Sequence, residues 1–174
     1  MDAPPIQYAR TEDGVNIAYW TMGDGPPLLW LPTQPAVPWV VYQDQPETQA
    51  WFERIAKRWQ VVQYDQRGVG LSRAPDVDRA FDACIHDIDA VLAASGLNQV
   101  SVWAGMLSGP LAIAYAARNP GRVAQLILWC SFAASDDFRN APSSLVPRAV
   151  ASGSDWTSFV RTISAAAIGW SHPD

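Results

Sequence analysis

Apolar positions along this chain fall into two rhythms. Four runs are nearly continuous: Leu28 to Leu31, Gln60 to Tyr64, Val100 to Trp103, and Val123 to Phe132. Runs of that length and composition suit strands covered on both faces. Ile6 to Glu12 and Asn16 to Met22 read as two further strands, and Asp13-Gly14 between them predicts a hairpin. Gly23-Asp24-Gly25-Pro26-Pro27 closes that hairpin.

The other rhythm is helical. Trp51, Phe52, Ile55 and Trp59 recur at helical spacing within Gln43 to Arg58. Phe81, Ile85, Ile88 and Leu92 mark one side of a helix over Ala80 to Ser95, which Gly96 closes as a C-cap. Leu111, Ala112, Ala114, Tyr115 and Ala116 form a third helical face, stopped at Asn119-Pro120-Gly121. Strands that alternate with helices predict an α/β fold: a mostly parallel sheet with helices on both faces.

The most informative stretch is Val100 to Val123, VSVWAGMLSGPLAIAYAARNPGRV. It reads as a buried strand, a sharp turn and a helix. Gly105, Ser108 and Gly109 permit the turn, and Pro110 stands in the first helical turn, where its missing N–H does no harm. This stretch resembles the nucleophile elbow of the α/β-hydrolase family, in which G-x-S-x-G holds a serine on a strained turn above the sheet. Matched without gaps through SGPLAIAYAARNPGRV, the nucleophile position falls on Met106 and the second glycine on Ser108. A one-residue slip keeps both glycines and puts Leu107 there instead. Neither register supplies Ser, Cys or Asp.

A second segment, Asp65-Gln66-Arg67-Gly68-Val69-Gly70-Leu71-Ser72, resembles the family's D-x-R-G-x-G-x-S loop after the fourth strand. Asp65, Arg67, Gly68, Gly70 and Ser72 are expected to be architectural there, with charge-assisted hydrogen bonds tying loops together. The resemblance spans roughly residues 6 to 135. It implies the N-terminal half of an α/β-hydrolase core over 1–135, then a partial helical cap or tail over 136–174. In that second part Trp156, Phe159, Val160 and Ile163 are helically spaced. The two strands that carry the family's acid and histidine would come later than Asp174. The fold is therefore expected to be incomplete, which would leave the apolar strand 123–132 at an edge. That edge would be covered by the tail, by missing sequence or by a second copy of the chain.

Composition narrows the function classes. The 174 residues are 49% hydrophobic and 17% charged, as expected of one globular domain. A net charge of −5 offers nothing to nucleic acid or anionic lipid, and no apolar run is long enough to span a bilayer. MDAPPIQYAR has none of the character of a signal peptide. Cys84 and Cys130, on a predicted helix and a predicted buried strand, are expected to be reduced core thiols of a cytoplasmic protein. Nine Trp are many for this length, and core packing is the plain reading of most of them. No residue cluster has metal-ligand spacing, and no cofactor is implied.

For acyl transfer a nucleophile, a base, a group orienting the base and oxyanion donors are all needed. Met106 and Leu107 cannot attack a carbonyl. Ser108 is a weak candidate nucleophile, because it has already turned into the helix start, where serine more often satisfies backbone donors. His86 lies on the wrong element, so His172 is the weak candidate base, with Asp136 or Asp137 as the acid. The resemblance implies oxyanion N–H groups from Leu107 and Gln34. The family's His-Gly before the latter position is replaced by Pro32-Thr33.

Three readings stand. The first is a non-catalytic module that binds a small apolar or ester-like ligand or serves regulation. WTMGDGPPLLWLP, YDQRGVGLS and LILWCSFA are similar to hydrolase-like domains found beside bacterial adenylate-cyclase and LuxR-type regulators. The second is an active serine esterase using Ser108 or residues from a partner chain. The third is a truncated remnant.

Overall fold

The computed structural model describes residues 3–33, 39, 43, 45–74 and 76–134. The chain divides after Ser131, and the compact unit of residues 1–131 holds the elements that follow. They are β1 (Gln7–Arg10), β2 (Asn16–Met22), β3 (Pro27–Trp30), α1 (Pro46–Ala56), β4 (Gln60–Tyr64), α2 (Phe81–Ala94), β5 (Val100–Gly105), α3 (Gly109–Arg118) and β6 (Val123–Trp129). The expected 135/136 boundary lies beyond the last described residue. So do the cap or tail over 136–174 and its helical face at Trp156, Phe159, Val160 and Ile163.

Among the described residues the sheet has six strands, in the order β1-β2-β4-β3-β5-β6. β1 with β2 and β2 with β4 pair antiparallel, whereas β3 with β4, β3 with β5 and β5 with β6 pair parallel. The β1–β2 hairpin turns where Asp13-Gly14 predicts it: Gly14 adopts φ +84 and its N–H donates to the Thr11 carbonyl.

Strand alternation sends side chains to two separate cores. On one face Leu29, Leu31, Val62, Val102 and Ala104 meet Ile85, Ile88 and Leu92 of α2 and Leu111 and Tyr115 of α3. On the other, Trp20, Leu28, Trp30 and Val61 meet Phe52 and Ala56 of α1. Each large aliphatic side chain so buried contributes about 1.5–3 kcal/mol relative to exposure. Helices therefore cover both faces.

The second core is aromatic. Trp30 stacks on Trp103 of the neighbouring strand with ring centroids 3.5 Å apart, and Phe52 meets Trp20 and Trp30 edge-on. Cross-strand register explains the stack, because Trp30 pairs directly with Trp103.

Some sequence expectations need correction. α1 occupies Pro46–Ala56 within the expected Gln43 to Arg58, with Pro46 in the first turn, where proline is accommodated. Trp51 and Phe81 are exposed rather than core residues. The strand expected over 123–132 ends at Trp129 and is not buried: Ile127, Leu128 and Trp129 are each more than a third exposed. Among the described residues it borders the sheet, paired with β5. Cys130, expected in a buried strand, is exposed and leaves the strand through φ +48.

Candidate functional site

β3, β4 and β5 run parallel, so their C-terminal ends and the loops that follow open on one edge of the sheet. In open α/β sheets that edge is where ligands bind.

At the end of β5 the chain reverses through a single 3-10 turn, Met106–Ser108, and enters α3 at Gly109 with Pro110 in the first turn. Met106 adopts φ +50. Left-handed backbone costs a side-chain-bearing residue about 1–2 kcal/mol. The strained position thus carries a thioether, and the gap-free register, with Met106 rather than Leu107 at the turn's apex, is the one the backbone follows.

Ser108 is buried, and its hydroxyl is engaged by the turn itself. It is 5% exposed. Its hydroxyl donates to the Gly105 carbonyl at 2.8 Å and accepts the Gly105 N–H at 3.1 Å, closing the turn on itself. Ser131 Oγ donates to the Met106 carbonyl at 2.9 Å and ties the end of β6 to the elbow.

Gly105 is required for packing rather than for its dihedral. A Cβ there would stand 2.6 Å from the Trp103 ring. The turn and the aromatic stack beneath it are thus one packed unit.

Beside the elbow lies a cavity of about 240 Å³, floored by Pro32, Cys84, Leu111 and the buried Ser108. Phe81 and Leu107, both more than two-fifths exposed, stand at its mouth with Gln66 and Arg79. Gln66 Nε2 donates to Cys84 Sγ at 3.2 Å. Burial raises the Cys84 thiol above its ordinary pKa, so it stays protonated at neutral pH. Its surroundings suit a small, largely apolar molecule with one polar group for Gln66 or Arg79.

The Asp65–Ser72 loop holds this edge in shape. Asp65 Oδ2 accepts the Leu71 N–H at 2.8 Å, and Ser72 Oγ bridges the Asp65 carbonyl and the Ala18 N–H. Burial pushes the Asp65 carboxyl up, against the pull of the Leu71 and Trp39 N–H groups. Gly68 and Gly70 take φ +75 and +53, as the tight loop demands.

Arg67 is 1% exposed and holds three parts of the fold together. It grips Asp87 of α2 with Nε and Nη2, and reaches Asp13 of the hairpin and the Asp78 carbonyl with Nη1. Burial alone would lower the Arg67 pKa, but hydrogen bonds to Asp87 and Asp13 hold it above the ordinary value. Burial pushes the Asp87 carboxyl up while Arg67 opposes it. Asp13 is held down at about 2 by its hydrogen bond to Arg67. These side chains bond to one another and to neighbouring loops, and none lines the cavity.

His86 is exposed on α2. Gln34, Asp136, Asp137 and His172 lie outside the described residues. Among the described residues no group of three or more His, Cys, Asp or Glu could hold a metal, and no helix is long and apolar enough to cross a membrane. The sequence reading did not anticipate the cavity wall formed by Gln66, Arg79, Phe81 and Cys84. The one available signal was Gln66, which directly follows Asp65 at the end of a parallel strand.

The strand order, the left-handed apex after β5 and the bracing loop after β4 together define the class of α/β proteins with an elbow above a mixed sheet. The family model described as "alpha/beta hydrolase fold" matches residues 26–159, and the chain belongs to that family. It is 32% identical over 109 residues to N-formylmaleamate deformylase of Pseudomonas putida, a match covering 61% of this chain and 37% of that protein. Among solved structures it is similar to an epoxide hydrolase of Bacillus megaterium in complex with an inhibitor. There the TM-score is 0.67 at 20% identity, over 84% of this chain and 50% of that one. The haloalkane dehalogenase DatA of Agrobacterium tumefaciens C58 gives 0.62 at 21%, over 75% and 42%. The chain thus spans half or less of the length of these relatives.

Proposed function

We propose that this chain is a non-catalytic, small-molecule-binding module of the α/β-hydrolase family. The observation that carries the reading is Met106 at the elbow's left-handed apex. A thioether there cannot form an acyl-enzyme intermediate, and the adjacent Ser108 hydroxyl is committed to Gly105. What remains is the cavity beside the elbow, open to an apolar or ester-like ligand that Gln66 or Arg79 orients. On the sequence resemblance to regulator-associated domains, such a ligand would serve a sensory role in a cytoplasmic protein.

Binding is tested with p-nitrophenyl butyrate as probe, followed by backbone amide chemical shifts. Shifts centred on Gln66, Cys84 and Leu107 that Leu107→Arg abolishes support the reading. Shifts scattered over the surface, or unchanged in Leu107→Arg, contradict it.

A second reading has its own support in the similarity to a protein named as a deformylase. On that reading the chain is part of an active hydrolase of small acyl compounds, with Ser108 or partner-supplied groups doing the chemistry. Labelling of Ser108 by a serine-reactive phosphonate would establish it.

A further inference from the structure

The end of the sheet opposite the elbow carries a second concavity that the binding reading above does not use. α1 runs out at Ala56, with Arg54 in its last turn and Lys57 as its C-cap, and β4 starts at Gln60. The helix end thus sits beside the N-terminal ends of the parallel strands, whereas Pro32, Gln66 and Leu107 follow their C-terminal ends.

Arg54, Lys57 and Arg58 line one open concavity of about 500 Å³ together with Ile55 and Trp59. That volume lies within the roughly 300–1,000 Å³ of ordinary ligand sites. The three cationic side chains are exposed, and Ile55 and Trp59 are half-buried against the aromatic core. The result is an apolar floor with a cationic rim.

A helix C-terminus attracts basic residues through its partial negative charge, which accounts for one or two of them. It does not account for three around a single hollow in a chain whose net charge is −5. Among the described residues none of the three has an ion-pair or side-chain hydrogen-bond partner. Three exposed cations gathered on one hollow make it a favourable place for an anion.

The hollow is also braced. The turn at Gly23 and Gly25 packs directly on the carbonyls of Ala56, Arg58 and Trp59, leaving no room for a side chain. Gln60 N–H donates to the Pro26 carbonyl at 3.0 Å. The backbone beneath the three cations is thereby fixed before any ligand arrives, which lowers the ordering cost of binding.

We propose that this concavity binds a small multiply phosphorylated ligand with a flat ring, of the nucleoside diphosphate kind. One carboxylate would neutralise one of the three cations, whereas a diphosphate carries charge enough for all three. The two guanidinium forks suit phosphate oxygens, and Lys57 adds a point charge. The ring would lie on Trp59 and Ile55. This proposal is independent of the cavity beside the elbow.

The test is calorimetric titration of the 174-residue chain with ADP, pyrophosphate and adenosine, repeated at raised salt and with Arg54→Gln, Arg58→Gln and the double variant. These side chains are exposed, so the variants should keep the parent circular dichroism. Expected are saturable ADP binding, several-fold weaker pyrophosphate binding and no measurable adenosine binding. ADP affinity should fall about tenfold in the double variant and weaken with salt. No binding of ADP or pyrophosphate at low-millimolar concentration would overturn the proposal, as would unchanged affinity in the double variant. Equal affinity for ADP and pyrophosphate would remove the ring from the recognition and overturn the ligand class.

Discussion

Arg67 and Asp87 face each other with both side chains wholly withdrawn from solvent, joined through Nη2 at 2.7 Å and through Nε at 2.9 Å. The pair links the loop after β4 to α2, and through Asp13 to the β1–β2 hairpin. Removing Arg67 strands Asp87 as an unpaired buried carboxylate, whereas removing Asp87 leaves Arg67 with Asp13 as its remaining carboxylate partner. Arg67→Ala should therefore cost about 3–5 kcal/mol of stability, and Asp87→Ala less. Urea denaturation of Asp87→Ala, Arg67→Ala and the double variant checks this. The double variant should lose clearly less than the sum of the singles; simple additivity would mean that the two are not coupled.

Asp13 gives the network a pH signature. Its carboxyl is depressed to about 2 by Arg67 and Thr11. A depressed acid stabilises the fold above its unfolded pKa, and that contribution disappears as pH falls through the folded value. Its side chain is 47% exposed, so solvent screening limits the contribution to about 1 kcal/mol. Asp13→Asn should be less stable than the parent near neutrality, with the gap closing between pH ~4 and ~2. A gap that widens on acidification would contradict this assignment.

Gly105 and Trp103 make a packing prediction. A methyl at 105 would press on the indole at 2.6 Å and drive it off the Trp30 ring. Gly105→Ala should cost about 1–3 kcal/mol, the usual range for overpacking a core. It should also weaken the near-ultraviolet circular dichroism of the stacked tryptophans. A variant with parent stability and spectrum would show that the ring moves freely.

Met106 makes a backbone prediction. At φ +50 a β-branched side chain is disfavoured and glycine is not. Met106→Val should be less stable than Met106→Gly by about 1–2 kcal/mol, even though valine keeps more apolar surface. Thermal melts of the two variants give the ordering directly, and the reverse order would argue against the left-handed elbow.

Much of this architecture is legible in the residues because local signals and burial agree. Leu28 to Leu31 and Gln60 to Tyr64 are apolar runs bounded by breakers, and both become interior strands. The helix that follows the elbow narrows its apex to Met106 or Leu107, and the positive φ belongs to Met106. Long-range charge pairing was less visible. Asp87 sits between Ile85 and Ile88 on the buried side of α2, where a carboxylate requires a partner, but nothing in local spacing names Arg67. Val123 to Trp129 reads as a buried strand by composition, yet its exposure depends on what lies beyond it in the sheet, which no local pattern encodes. The cavity wall of Gln66, Arg79, Phe81 and Cys84 assembles from the loop after β4 and from α2, so it becomes a site only on folding.

The claim that the elbow has no catalytic role is tested most directly by hydrolysis of a short-chain p-nitrophenyl ester panel. The purified chain is assayed beside Ser108→Ala and His172→Ala, each shown to be folded. With Met106 at the apex and Ser108 sealed against Gly105, all three should match the uncatalysed rate. Turnover well above that rate in the parent, lost in Ser108→Ala, would contradict the account and make Ser108 the nucleophile.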